Sequence, residues 1–182
     1  MPEFAQWTLD AIRKEGGSLS WLEEQRFDWT TATSYALKQI LSGKTIIIIT
    51  DDKRKWFEGY VINSINSVLL ERPPVAIISI DSIYPHFNSI SGGEMIDMVD
   101  DMISQSYKND YFFWYIGKGD DKRSDIAKRQ DNSYIWIFDE EFNNAFPLKS
   151  YDSSLDIKLL QLYKLLNSSL NATMFGEVDA SS

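Results

Sequence analysis

The chain contains no cysteine and a single histidine, His86, in 182 residues. Without cysteine there can be no disulfide, thiolate metal site or cysteine nucleophile. One histidine allows no histidine pair for a metal. A Ser-His-Asp triad would have to use His86, and no GxSxG-type turn supplies the serine. Long apolar runs are missing too. The most apolar stretch, Ile46–Ile49, is far shorter than the roughly 20 residues needed to cross a bilayer. The N-terminal MPEFAQWTLDAIRKEGG carries charge throughout and has no apolar signal core. These absences predict a cytoplasmic protein without a membrane partner. Positive charge is the minority: 18 basic residues stand against 27 acidic ones, a net charge of −9. Phosphate backbones repel such a chain unless a local basic patch overrides the total. The basic residues are scattered in short clusters such as Lys53–Lys55 and Lys122–Arg123, so direct nucleic-acid binding is not expected.

Aromatic residues are plentiful, with six Trp, nine Tyr and ten Phe. Most suit a core, and aromatics are also favoured at protein interfaces. The length predicts one domain, over residues 1–175, with a flexible tail over 176–182. A compact chain of this size buries roughly 70% of its unfolded surface and needs no staples.

Periodicity predicts a helix over 3–15, with Phe4, Trp7 and Ala11 on one face and Gly16-Gly17 as the stop. Residues 18–29 read as irregular, anchored by Trp21, Phe27 and Trp29, and a second helix follows over 30–42. The run from Lys44 to Asp51 then changes character. Its continuous β-branched residues mark a strand buried on both faces of a parallel sheet. Three more such runs are Val75–Ile80, Tyr111–Ile116 and Tyr134–Phe138. Helical stretches separate them: 54–67, with Phe57, Val61 and Ile65 inward; 92–105, with Met95, Met98, Val99 and Met102 inward; and a weaker one over 123–130. Alternating strands and helices predict right-handed βαβ units. The fold class is therefore α/β: three layers, an open parallel sheet of four to five strands, and helices on both faces. The fifth strand has no clear position.

The last helix has a capping-box-like start, Ser153-Ser154-Leu155-Asp156, and runs to about 173. Leu155, Leu159, Leu162, Leu166 and Leu170 form one apolar stripe, while Ile157, Leu160 and Leu165 lie away from it. Either the helix is sandwiched between neighbours of its own subunit, or its outer side packs on a second subunit. We favour the second account, with Ile157, Leu160 and Leu165 as the oligomer contact.

In an open α/β sheet ligands bind at the carboxyl ends of the strands. Those ends carry Thr50-Asp51-Asp52, Asp81-Ser82, Gly117-Lys118 and Asp139-Glu140-Glu141. The turn Asp51-Asp52-Lys53-Arg54 offers two carboxylates where a phosphate loop needs glycine, hydroxyls and free N–H groups. Asp51, Asp52, Asp81 and Lys118 do permit a receiver-like reading, in which the acids hold Mg²⁺ and one aspartate takes up a phosphoryl group. The two extra N-terminal helices and the missing hydroxyl position argue against it. The loop Tyr84-Pro85-His86-Phe87 instead suits a protein contact.

Several segments carry a family pattern in order and spacing. They are Ser20-Trp21-Leu22-Glu23, Trp56-Phe57-x-x-Tyr60, Glu71-Arg72-Pro73, Phe113-Trp114-x-x-Gly117-Lys118 and Trp136-x-Phe138-Asp139-Glu140-Glu141. The last is Asp152-Ser153-Ser154-Leu155-Asp156-x-Lys158-Leu159-Leu160-Gln161-Leu162. From about residue 4 to 170 the chain resembles the HobA family of bacterial proteins, which associate with the replication initiator DnaA. The resemblance implies a fold like the sugar-isomerase (SIS) domain, a homotetramer, and binding of the N-terminal domain of DnaA to promote its assembly at the chromosomal origin. It implies no catalytic activity and no cofactor. From the residues themselves, the expected DnaA contact is Asp81, Tyr84, Pro85 and Phe87, with Trp56 and Tyr60 as a second patch. A SIS-type phosphosugar-binding protein or isomerase is the alternative function, and the receiver-like switch a second one.

Overall fold

The β-branched and aromatic runs become strands of one sheet in the computed structural model, which describes residues 3–131 and 133–180. Strand β1 is Thr45–Thr50, β2 Ile77–Ser79, β3 Tyr111–Lys118 and β4 Tyr134–Phe138. The fifth strand, β5, is Phe146–Leu148. Its order in the sheet is β2-β1-β3-β4-β5, with every pairing parallel. This is the doubly wound order in which the chain reverses direction between β1 and β3. Pro147 disguised β5, and a proline is tolerated there because β5 is an edge strand. The run Val75–Ile80 yields only three strand residues. The Asn66 side chain takes both the Val75 N–H and C=O (2.7 and 2.8 Å), and Ile80 opens a helix.

The helices are α1 Phe4–Lys14, α2 Arg26–Leu41, α3 Lys55–Ser64, α4 Ile80–Ile83, α5 Gly93–Tyr107, α6 Ser124–Lys128 and α7 Leu155–Met174. Helices α1, α2, α3 and α7 cover one face of the sheet, and α4, α5 and α6 the other. Strand alternation divides the core between them. Ile46, Ile48, Phe112, Trp114, Trp136 and Phe138 point to the first face; Ile47, Ile49, Phe113, Tyr115, Ile135 and Ile137 point to the second. Trp136 is the hub of the first face. Its ring lies 5.2 Å from Trp114, 5.8 Å from Trp29 and 5.9 Å from Phe57.

Four local expectations need correction. Residues 18–29 are not irregular: a 3-10 helix covers Gly16–Leu22 and α2 begins at Arg26. Trp29 is a core residue as expected, whereas Phe27 is 58% exposed, its ring under the Arg26 guanidinium at 4.2 Å. Helix α5 turns Ile96, Val99 and Ile103 inward and leaves Met98 on the surface. Two apolar stripes run along it, and the β-branched one packs on the sheet. The flexible tail expected from Gly176 is packed as far as Ala180: Val178 and Ala180 are buried, and Asp179 bridges to Glu3. Ser181 and Ser182 lie outside the described residues.

The start of α7 is capped from one step further out than the sequence suggested. No Ser154 side-chain bond caps it; instead Asp152 accepts the Ser154 N–H (2.9 Å) and hydroxyl (2.7 Å) and pairs with Lys158 (2.6 Å). Loss of a helix cap costs about 1 kcal/mol, and in a domain of this size that is about 2–4 °C. Asp152→Ala should lower the thermal midpoint by that amount in a melt followed by far-UV circular dichroism.

Candidate functional site

The reversal of strand order puts a crevice at the ends of β1 and β3, where a doubly wound sheet takes its ligand. In this chain the crevice is filled from within. The buried Asp51 carboxylate accepts the Arg54 N–H at 3.2 Å and the Lys118 N–H at 3.1 Å, and it pairs with the Arg54 guanidinium. Gly117 faces it so closely that a Cβ there would stand 3.0 Å from the carboxylate oxygen. The other acids of the receiver-like set go to different cations. Asp52 pairs with Arg123 (2.8 Å), Asp81 with Lys55 (2.5 Å), and Lys118 reaches Asp139 at 3.9 Å. The four side chains are thus not gathered into one site, although the Lys118 backbone meets Asp51. Among the described residues no group of three acidic or histidine side chains could hold a metal. His86 is exposed beside the Tyr84 ring, 6.1 Å away.

One buried residue of this region escaped the sequence reading. Glu58, on α3, is 5% exposed and accepts from Thr50 on β1 (2.8 Å), Ser79 on β2 (2.5 Å) and Lys55 (3.0 Å). A lone glutamate in an amphipathic helix reads as a surface residue; only the two strand-end hydroxyls reveal its partners. It ties α3 to both strands. Burial of Lys55 would lower its pKa, but its hydrogen bonds to Asp81 and Glu58 outweigh that and raise it. A raised lysine contributes stability that is whole below about pH 10.4, the unfolded value, and is lost as pH rises through the folded one. Three carboxylates work in the opposite direction. Asp121 is held low by Arg123 despite its burial, Asp139 by Ser150, and Asp152 by Lys158 and Ser154. Their contribution is whole above about pH 3.9 and is lost as pH falls through the lowered values. The urea midpoint should therefore fall between pH 4 and pH 2, and the Asp152→Ala variant should fall less steeply there.

The exposed apolar residues gather elsewhere. Trp56 and Tyr60 lie one turn apart on the outer face of α3, and Ile157 (61% exposed) and Leu160 on the outer face of α7. Between the two helices a groove of about 560 Å³ is lined by Tyr60, Leu69, Ile157, Leu160 and Tyr163. Its rim is the 3-10 turn Val68–Leu70, where Val68 and Leu69 are 92% and 87% exposed. That turn is held firmly. Arg72 donates to the Ile65 carbonyl (2.5 Å) and to the side chains of Asn167 (2.9 Å) and Asn171 (2.8 Å) on α7. Tyr163 closes the floor, bonded to Ser64 at 2.8 Å. These adjacent exposed aliphatic residues extend the apolar lining of the groove onto its rim.

The expected contact residues divide accordingly. Tyr60, Ile157 and Leu160 share the groove, so a residue expected for the second DnaA patch and two expected for the oligomer contact lie on one surface. Leu165 is not part of it: it is buried, turned toward the chain's own core. Phe87 is likewise buried, drawn under its loop by the one-turn helix Phe87–Ser89. Above it Tyr84 is half-buried and Pro85 exposed, with the half-buried Asp81 one turn before. The exposure of Val68 and Leu69 has no signal in the sequence, where aliphatic residues ahead of Glu71-Arg72-Pro73 read as an ordinary loop.

The family model described as HobA, DNA replication regulator, matches residues 1–180. The chain belongs to the HobA family. The DNA replication regulator protein HobA of Helicobacter pylori (strain ATCC 700392 / 26695) is 28% identical over 186 residues, covering 98% of this chain and 99% of that protein. A crystal structure of HobA from Helicobacter pylori covers 98% of both chains at 27% identity with a TM-score of 0.76. Another, of a HobA–DnaA (domain I-II) complex from the same organism, matches at 28% identity over 98% of this chain and 99% of that one, with a TM-score of 0.75. The HobA fold extends through the crevice, the groove and α7 alike. Among the described residues no helix is long and apolar enough to cross a membrane.

Proposed function

We propose that this chain is a non-catalytic, cytoplasmic adaptor that binds the N-terminal domain of DnaA and promotes its assembly at the chromosomal origin. The observation that carries this reading is the full-length similarity to a HobA that forms a complex with DnaA domains I–II. The filled crevice supports it, since a carboxylate stands where an enzyme of this fold would hold its ligand. The net charge of −9 supports an adaptor that reaches DNA only through its partner.

In this account the chain is one domain that self-associates, as a tetramer by the family resemblance. The groove between α3 and α7 is the self-association surface, with Ile157, Leu160, Tyr60 and Leu69 as its apolar contacts. DnaA takes the shelf formed by Asp81, Tyr84 and Pro85, with Trp56 beside the groove. Phe87 supports that shelf from below. An oligomer that holds several initiators makes their mutual contacts intramolecular, which raises avidity by about 10²–10⁴.

Titration of labelled DnaA domains I–II, followed by fluorescence anisotropy, tests the assignment. Tyr84→Ala and Trp56→Ala together should weaken binding at least tenfold, the scale of a hot-spot aromatic at about 1.4 kcal/mol or more. The mass of the free oligomer should stay unchanged. Unaltered affinity would remove the shelf from the account, and phosphosugars should shift neither affinity nor melting.

A further inference from the structure

The Asp51 carboxylate has the contacts that a bound oxyanion would have. Its two oxygens accept two backbone N–H groups, from Arg54 (3.2 Å) just before α3 and from Lys118 (3.1 Å) at the end of β3. A third donor is the Arg54 guanidinium, through Nη2. That side chain is itself only 7% exposed and its Cζ lies 4.9 Å from the centre of the Phe138 ring, which holds it against the end of β4. Its Nε–H is buried and has no hydrogen-bond partner. A guanidinium presents its donors as a fork matched to two oxygens of a carboxylate or phosphate. The single carboxylate of Asp51 engages only part of that fork. A buried donor left unmade is costly, and here it sits in the crevice where this strand order places ligands. Gly117 brings the end of β3 up to the site without a side chain: a Cβ there would stand 3.0 Å from the Asp51 carboxylate oxygen and 2.7 Å from the Tyr115 hydroxyl.

From these contacts we infer that the crevice between β1 and β3 is an oxyanion site kept shut by the chain's own Asp51. The site suits a small tetrahedral anion, phosphate or sulfate, received by the Arg54 and Lys118 N–H groups and by both the Nη2 and Nε donors of Arg54. In the native chain the internal carboxylate fills it permanently. The loop leading into α3 is then fixed without any ligand, and α3 presents Trp56 and Tyr60 in one position whatever the phosphate-ester content of the surroundings. The site is independent of the DnaA assignment, and its test does not involve DnaA.

Asp51→Ala removes the internal anion and leaves the donors in place. The melting temperature of this variant should climb with inorganic phosphate at constant ionic strength, by about 5–10 °C at a hundred times the dissociation constant. Sulfate should act alike and chloride should not. The wild-type chain should show no rise, and Asp51→Ala combined with Arg54→Met should lose it. If the single variant does not fold in chloride buffer, phosphate should restore soluble, folded protein on refolding. A wild-type midpoint that climbs equally would overturn the inference. So would a folded variant indifferent to phosphate, a double variant that keeps the response, or a failure of phosphate to rescue refolding.

Discussion

Changing Ile157 and Leu160 together to aspartate should reduce the protein to a monomer of 21.0 kDa. Both side chains stand on the outer face of α7, Ile157 61% and Leu160 37% exposed, so the core stays in place and the monomer should keep its fold at a cost of about 1 kcal/mol. In an assembled interface the same changes bring uncompensated carboxylates into an apolar groove already lined by Tyr60 and Leu69. Opposed like charges cost several kcal/mol, which corresponds to a dissociation constant raised by about 10³ or more. The monomer should still bind one DnaA domain at the Asp81–Pro85 shelf but lose the gain from linkage, about 10²–10⁴ in avidity. Sedimentation velocity at several concentrations reads the first effect. An unaltered assembly mass would place the interface elsewhere.

The largest effect on folding is expected from Trp136→Ala. The Trp136 ring is fully buried and touches Trp114, Trp29, Phe57 and Tyr134, so its removal leaves a cavity bounded by large rigid rings. Such rings cannot collapse inward without leaving their own packing positions. Truncating a buried tryptophan costs about 3–5 kcal/mol, against a total stability of about 5–15 kcal/mol. The thermal midpoint should drop on the order of 10 °C, and near-UV circular dichroism should weaken. Trp136→Phe, which keeps a ring at the hub, should lose less than half as much.

Sequence reading succeeded where a residue's type decided its environment. Ile46–Ile49, the aromatic run from Tyr111 and the run Tyr134–Phe138 are buried on both sides and fit nowhere but an interior strand. It failed where a partner distant in sequence decides. Nothing near Glu58 announces Thr50 and Ser79 as its partners, and Pro147 hides an edge strand that pairs with β4. On α7 the wide apolar girth had two causes. Leu165 is covered by the chain's own helices, because α7 packs against both α1 and α2, while Ile157 and Leu160 remain outside. A helical wheel shows that all three lie off the main stripe but not which of them the same chain covers. The aromatic loop split in the same way: Tyr84 and Pro85 stay at the surface, and a single 3-10 turn carries Phe87 inward.

The central claim is that this HobA-family chain gathers several DnaA molecules on one assembly. Light scattering after size-exclusion chromatography, with and without DnaA domains I–II, tests it most directly. The account predicts a mass several times the 21.0 kDa of one chain, four times for a tetramer, rising by several DnaA domains when they are added. A species with the mass of one chain, or an assembly whose mass ignores DnaA, would contradict it.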